Sequence, residues 1–266
     1  MAGLTYQVGK RGVPILSHEK IDGDAEYLIS QYDNTLLTDP RAIDVDDFVE
    51  RYLGFNLHFE NLSFNGCIWG RMVFNNRRIL VYVPETHGIA YHPIDANTIV
   101  VDNSLLEDNS EFAYRSTVIH EAGHGLYHPQ IFKEDDNQIS LFPVKNADKK
   151  AVTVCRSVDV LGVKNEGRRE LITDHDWIEH HAKYFSAAVL MPKKAMQIVC
   201  GDMRTREHCK RFGPLADEML AQRVSGVFNV SPTSARIRIK QLGYAFQQEE
   251  NQQNMFTDGV FERMSV

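Results

Sequence analysis

The sequence lacks every long hydrophobic run that a membrane-spanning helix requires. Its longest apolar runs, 79–83 and 187–191, are far shorter than the roughly 18 residues needed to cross a bilayer. The core of a signal peptide is missing as well, because polar residues interrupt the short apolar stretch 13–16 near the N-terminus. No internal repeat is visible. These absences predict a cytoplasmic protein that does not associate with membranes.

Cysteine is scarce and widely spread, and no C-x-x-C pattern occurs. This usage fits reduced thiols in a cytoplasm better than a disulfide framework or a cysteine zinc site. The 29 basic and 36 acidic side chains give a formal charge of −7, which excludes a surface built throughout for nucleic acid. With 266 residues, of which 43% are hydrophobic, we expect one elaborated globular domain or a core with a small appendage.

The spacing of apolar residues predicts an α+β fold. Short β-rich stretches follow an amphipathic helix at 44–54, and we expect the stretches 67–74 and 79–83 to form a hairpin through Asn75 and Asn76. A further strand is predicted at 98–101. Helices are predicted at 111–128 and at 174–191, each followed by proline.

Changes in composition divide the chain into four segments. We predict an irregular accessory segment at 1–40, a core at 41–195 with a polar insertion at about 133–173, a helical section at 196–246, and a polar tail at 247–266.

The motif that carries chemistry is His-Glu-Ala-Gly-His at 120–124, an instance of H-E-x-x-H inside a predicted helix. Residues four apart share one helix face, so His120 and His124 can bind the same Zn²⁺ ion. Glu121 lies one step around the helix and is placed to act as general base toward water. A chance match on a surface helix is the alternative interpretation.

Two glycines within this helix favour a functional site. Gly123 and Gly125 each cost about 1 kcal/mol relative to alanine, so close approach of another backbone or of a substrate is the expected compensation. The alternative for Gly125 is that it only loosens the end of the helix.

A catalytic zinc site needs a third protein ligand. His128 lies about 12 Å along the helix from His120, too far for one ion, and is predicted to be a helix-end residue or a residue behind the ligands. Glu179 flanks the apolar stripe of the 174–191 helix and can face inward, although a surface pair with Lys183 is the alternative. His175 lies on the same face and is the substitute ligand. The neighbouring histidines of that helix, His180 and His181, are predicted to point away or to pack.

The segments 115–128 and 179–192 together resemble the ImmA/IrrE family of metallopeptidases. The resemblance covers about 40–245 and implies a zincin-like core, with a small mixed or antiparallel sheet and active-site helices. It further implies that Glu179 is the third zinc ligand and that helix-turn-helix transcriptional repressors are the substrates. Lys183 departs from the family, which commonly has asparagine there.

The segment 228–243 predicts a turn, a cap at Ser231, proline at the first helical position and a helix that ends at Gly243. It looks like half of a helix-turn-helix, and 204–240 holds eight basic residues and three acidic ones. We favour structural packing or recognition of a protein substrate. DNA contact stays the alternative, because basic side chains are few and the total charge is negative.

The sequence therefore predicts a zinc-dependent endopeptidase, with His120, His124 and Glu179 as metal ligands and Glu121 as the catalytic base. A regulatory module that binds protein or DNA without proteolysis is the second hypothesis, and zinc-dependent hydrolysis of a non-peptide substrate is the third. The spacing does not choose an oxyanion-stabilising residue among four candidates: Tyr91, Tyr127, Tyr184 and His128. It also leaves the identity of the substrate and the oligomeric state open.

Overall fold

The chain folds as an α+β protein, which confirms the predicted fold class. No helix in the described part of the chain has both the length and the hydropathy needed to cross a bilayer. The computed structural model describes residues 4–9, 12–107, 110–132, 155–156 and 171–246. They belong to two compact units, the first made of 1–32 and 43–190 and the second of 33–42 and 191–266. The domain boundaries predicted from the sequence stay predictions.

The strands of the first unit form one four-stranded sheet and two antiparallel pairs. In chain order they are β1 (Gln7–Val8), β2 (Pro14–Ile15), β3 (Asn56–Glu60), β4 (Ile68–Val73), β5 (Arg77–Val83), β6 (Gly88–Ile94), β7 (Thr98–Asp102) and β8 (Cys155–Arg156). The sheet has the order β3-β7-β4-β8, with β3 parallel to β7 and the other pairs antiparallel. The pairs are β1 with β2 and β5 with β6.

The described part of the first unit also contains five α-helices. They are α1 (His18–Asp33), α2 (Val45–Asp47), α3 (Glu111–Tyr127), α4 (Pro129–Phe132) and α5 (Asp174–Leu190). A π-helix at Phe48–Leu53 continues α2 and ends at Gly54, whose φ of 77° is the left-handed conformation typical of a helix stop. The helices predicted at 44–54, 111–128 and 174–191 are thus present. Most of the polar insertion predicted at about 133–173 and the polar tail at 247–266 lie outside the described residues.

The predicted hairpin between β4 and β5 is wrong. β4 pairs with β7 and β8, whereas β5 pairs with β6 through a turn at 84–87. The residue with positive φ at that turn is His87, at 51°, and not Asn75 or Asn76. The signal of an Asn-Asn turn is local, while partner choice depends on burial: Ile79 and Val81 of β5 pack into a core cluster with residues of β4 and β7.

The expectation of an irregular segment at 1–40 is also wrong, because α1 occupies 16 of these residues. Its buried apolar side chains, Ile21, Ala25, Leu28 and Ile29, recur at helical spacing. The pattern is interrupted by two aspartates that are themselves buried, Asp22 and Asp24. Both carboxylates accept hydrogen bonds from tyrosine hydroxyls, one on α3 and one on α5. The two aspartates therefore obscure the apolar pattern of a helix that is packed in the structure.

Helices α3 and α5 pack closely against each other, and glycine makes this possible. A Cβ at Gly123 would lie 3.3 Å from the Cα of Ala182 and 3.0 Å from the Cδ1 of Phe185. At Gly125 a Cβ would lie 2.5 Å from the Cζ of Phe55. The predicted close approach of another backbone is therefore found at Gly123. At Gly125 the nearby atoms belong to side chains, those of Phe55 and Met72, so Gly125 does more than loosen the helix end.

The second unit is helical. Its helices are α6 (Lys193–Gly201), α7 (Met203–Lys210), α8 (Ala216–Phe228) and α9 (Pro232–Gln241), with 3₁₀ turns at Asn34–Leu37 and Gly213–Leu215. Between α8 and α9, Asn229 takes the left-handed conformation with φ of 52°. The Ser231 side chain accepts a hydrogen bond from the Ser234 amide and caps α9, as predicted.

We predict that Gly125→Ala destabilises the protein by about 1–3 kcal/mol, because its methyl group overpacks against the ring of Phe55. Gly23→Ala is the matched control. Gly23 lies on α1, and no neighbouring atom lies within 4 Å of the place that an added methyl group would take, so alanine should raise the free energy of unfolding by up to about 1 kcal/mol. Urea denaturation measures both. Equal effects of the two substitutions would contradict the packing role of Gly125.

Candidate metal centre

The two histidines of the H-E-x-x-H motif lie side by side on α3. Their Nε2 atoms are 3.1 Å apart, and the rings meet edge to face. His120 is 2% exposed and His124 is fully buried. Because the residues are one helical turn apart, α3 alone brings the two nitrogens to a common point.

Glu179 joins this pair from α5. Its Oε2 lies 3.4 Å from the Nε2 of His120, and its Oε1 lies 3.4 Å from the Nε2 of His124. The three side chains form a buried group that can hold a metal ion. The structure thus brings together the three ligands predicted from the sequence.

The electrostatics of this group keep Glu179 ionised. Burial by itself would raise the pKa of the carboxyl, but hydrogen bonds and charge from His120 and His124 outweigh burial and hold the pKa well below its usual range. A carboxylate anion in contact with two imidazole nitrogens is the form that binds a cation.

Glu121 is fully buried and lies against β4. A Cβ at Gly70 would come within 3.1 Å of the Cγ of Glu121 and 2.6 Å of the Cγ2 of Thr117. A described cation that interacts electrostatically with Glu121 is Arg71 on β4: burial lowers the pKa of its guanidinium, and the charge of Glu121 opposes this. The predicted base therefore has a defined position between α3 and β4.

The remaining histidines take different places. His128 ends α3 and is fully buried; its Nδ1 lies 3.1 Å from the Nδ1 of His124. His181 is 1% exposed and stacks on His128 with an interplanar angle of 12°. His175 is exposed and does not join the group, so the substitute ligand is not used. His180 faces away and contacts His18, with 2.8 Å between the two Nε2 atoms.

Two of the candidate oxyanion residues have their hydroxyls committed elsewhere. The Tyr127 hydroxyl donates to Asp24 at 3.1 Å, and the Tyr184 hydroxyl donates to Asp22 at 3.0 Å. Tyr91 is exposed on β6, where it pairs with Leu80 on β5. Neither buried tyrosine is therefore available to stabilise an oxyanion.

A scan against family models finds no match to this chain, and a search of curated proteins also finds none. The assignment of a function rests on the residues themselves.

Sequence reasoning missed the residues that support this group from other elements. Gly70 on β4 lies against Glu121, and Asp22 and Asp24 on α1 accept hydrogen bonds from tyrosines on the two helices that carry the ligands. The only local signal was Gly70, a glycine within a strand, which often marks close approach of another backbone or side chain.

We predict that the metal-free protein loses stability as the pH falls from 6.5 to 4. Burial, together with the charge of His180, lowers the pKa of His181 to about 4. Between pH 6.5 and 4 the unfolded chain therefore binds a proton that the folded chain does not bind. The free energy of unfolding falls by up to about 1.4 kcal/mol for each pH unit in this interval. The contribution of His181 to stability is fully present above pH 6.5, the ordinary pKa of histidine.

His181→Phe removes this proton and should flatten the dependence of the free energy of unfolding on pH. Urea denaturation of the metal-free wild type and variant, between pH 6.5 and 5, measures the two slopes. Identical slopes would show that His181 takes up its proton equally in the folded and unfolded states.

Proposed function

We propose that the protein is a zinc-dependent endopeptidase. The observation that carries this proposal is the buried triangle of His120, His124 and Glu179; Glu121, the residue after His120 on the same helix, is buried as well. Bonds of 2.0–2.1 Å in a tetrahedral zinc site separate neighbouring ligand atoms by about 3.4 Å. The triangle has two edges of 3.4 Å and one of 3.1 Å.

The donor set favours a transition metal over magnesium or calcium. Two imidazoles and one carboxylate suit zinc, copper, iron or nickel rather than magnesium or calcium, which prefer oxygen ligands. The octahedral site of non-haem iron enzymes uses the same three ligands at right angles, with edges of about 3.0 Å for bonds of 2.1 Å. The observed edges of 3.1–3.4 Å fit both geometries, so the choice of zinc is part of the proposal. Three protein ligands leave the fourth position open, as in catalytic zinc sites.

The chemistry follows from the positions of these side chains. Zinc, when bound, polarises a peptide carbonyl and lowers the pKa of a water molecule toward about 7. Glu121 accepts the proton of the attacking water and returns it to the leaving amine. Its burial between α3 and β4 removes competing bulk water from the carboxylate.

The ImmA/IrrE resemblance supports the same proposal at the level of the family and of a zincin-like core. In support of it, the motif helix α3 packs against the Glu179 helix α5, and a mixed sheet lies against α3. The family relationship and the substrate class, helix-turn-helix transcriptional repressors cut at a limited site, are part of the proposal.

For α8 and α9 we propose a helix-turn-helix-like pair that packs or recognises protein rather than DNA. Arg238 is fully buried, and its Nε donates to the carbonyl of Met191. Arg236 forms an ion pair with Glu218. Two of the basic side chains of α9 are thus engaged within the second unit.

We predict that wild type binds one zinc ion per chain and that Glu121→Gln keeps the metal but loses proteolysis. Removal of a general base costs about 10²–10⁴-fold in rate. Glu179→Gln should lose both metal and activity, while the exposed control Glu19→Gln keeps both. Elemental analysis gives the metal content, and mass spectrometry of a candidate repressor gives the cleavage product.

Equal cleavage by wild type and Glu121→Gln would remove Glu121 from the mechanism. A chain that binds a repressor or DNA with unchanged affinity after His120→Ala, and that cleaves nothing, would instead support the regulatory binding module.

A further inference from the structure

Three histidines form a row along one face of α3, at positions i, i+4 and i+8. The Nε2 atoms of His120 and His124 face each other, and the opposite nitrogen of His124, Nδ1, faces the Nδ1 of His128 at 3.1 Å. His124 and His128 are both fully buried. The middle ring thus has one nitrogen toward the ligand triangle and the other toward His128.

The chemistry of imidazole fixes the protons of this row. A neutral histidine that binds a metal through Nε2 carries its hydrogen on Nδ1. This N–H of His124 points at the Nδ1 of His128, which must then be the acceptor and carry its own hydrogen on Nε2. The reverse tautomer of the pair would place a hydrogen on the Nε2 of His124, where it blocks a metal.

We infer that His128 is a positioning residue for the metal centre: its Nδ1 accepts the Nδ1–H of His124 and holds that ligand in the ring orientation and tautomer that bind metal. Metal-binding histidines generally need such an acceptor, most often a carboxylate or a backbone carbonyl. The inference rests on the proposed metal site, but it does not depend on peptidase activity.

A neutral acceptor suits this position because the buried ligand triangle already contains the carboxylate of Glu179, and Glu121 is buried on the same helix. A carboxylate in place of His128 would add a further buried negative charge that is costly without a partner. An imidazole supplies the lone pair without the charge.

The surroundings of His128 fix the orientation of its ring. His128 is the C-cap of α3, and its backbone amide donates to the carbonyl of His124 at 2.9 Å. His181 on α5 stacks against the ring with centroids 5.8 Å apart. His128 therefore contacts α5, the helix that supplies Glu179, as well as its own helix.

The Nε2 of His128 is buried and has no hydrogen-bond partner among the described residues. Within that part of the chain, His124 is therefore the residue with which the His128 side chain forms a hydrogen bond. A residue needed here only for packing would favour an apolar side chain. The acceptor at Nδ1 explains why the residue is a histidine.

The test compares three variants in zinc affinity, measured by competition with a chromophoric chelator. His128→Leu removes the acceptor, and we expect zinc to bind about 10–100-fold more weakly. His128→Asn places a carbonyl oxygen near the position of Nδ1 and should recover most of that loss. His175→Leu is the matched control on the exposed face of α5 and should bind as wild type does. Thermal unfolding of the metal-free proteins is recorded in parallel.

Recovery by asparagine but not leucine, with similar melting temperatures of the metal-free variants, supports the inference. Zinc affinity of His128→Leu equal to that of wild type would overturn it and leave the metal site intact. Equal losses in the leucine and asparagine variants would also overturn it, because packing would then be the role of His128. A wild type that binds no zinc would overturn the metal centre and this inference together.

Discussion

The close approach of α3 and α5 is the constraint on which the rest of the site depends. A carboxylate side chain is short, so Glu179 can reach two imidazoles on another helix only if the two backbones nearly touch. Gly123 permits this, since the space for its missing Cβ is filled by Ala182 and Phe185. The helical penalty of a glycine in α3 is offset by a contact that creates the ligand triangle.

Charge burial imposes the second constraint on the first unit. Several of its buried carboxylates have specific partners: Glu179 contacts two histidines, and Asp22 and Asp24 accept hydrogen bonds from tyrosine hydroxyls. Glu121 interacts electrostatically with Arg71. Unpartnered burial of such groups is costly, so these pairs fix how α1, α3, α5 and β4 meet. The helix α1 belongs to the support of the site for this reason.

The sequence predicted those features whose signals are local or periodic. H-E-x-x-H positions two nitrogens through the geometry of one helix, and the apolar stripe around Glu179 indicated which way that carboxylate faces. The hairpin failed because strand pairing is decided by distant burial, as for Ile79 against the core, and not by Asn75 and Asn76. Arg71 could not be assigned to Glu121, since only the folded sheet brings β4 to α3.

The distance argument excluded His128 as a ligand and left two roles open, a helix-end residue or a residue behind the ligands. Its rise of about 12 Å along α3 from His120 prevents both residues from binding one ion. The same helical repeat places it one turn beyond His124, where the second nitrogen of that ring needs an acceptor. A spacing of eight residues is too long for His120 and His128 to bind one ion. It lets His124 contact both of them, His120 through Nε2 and His128 through Nδ1.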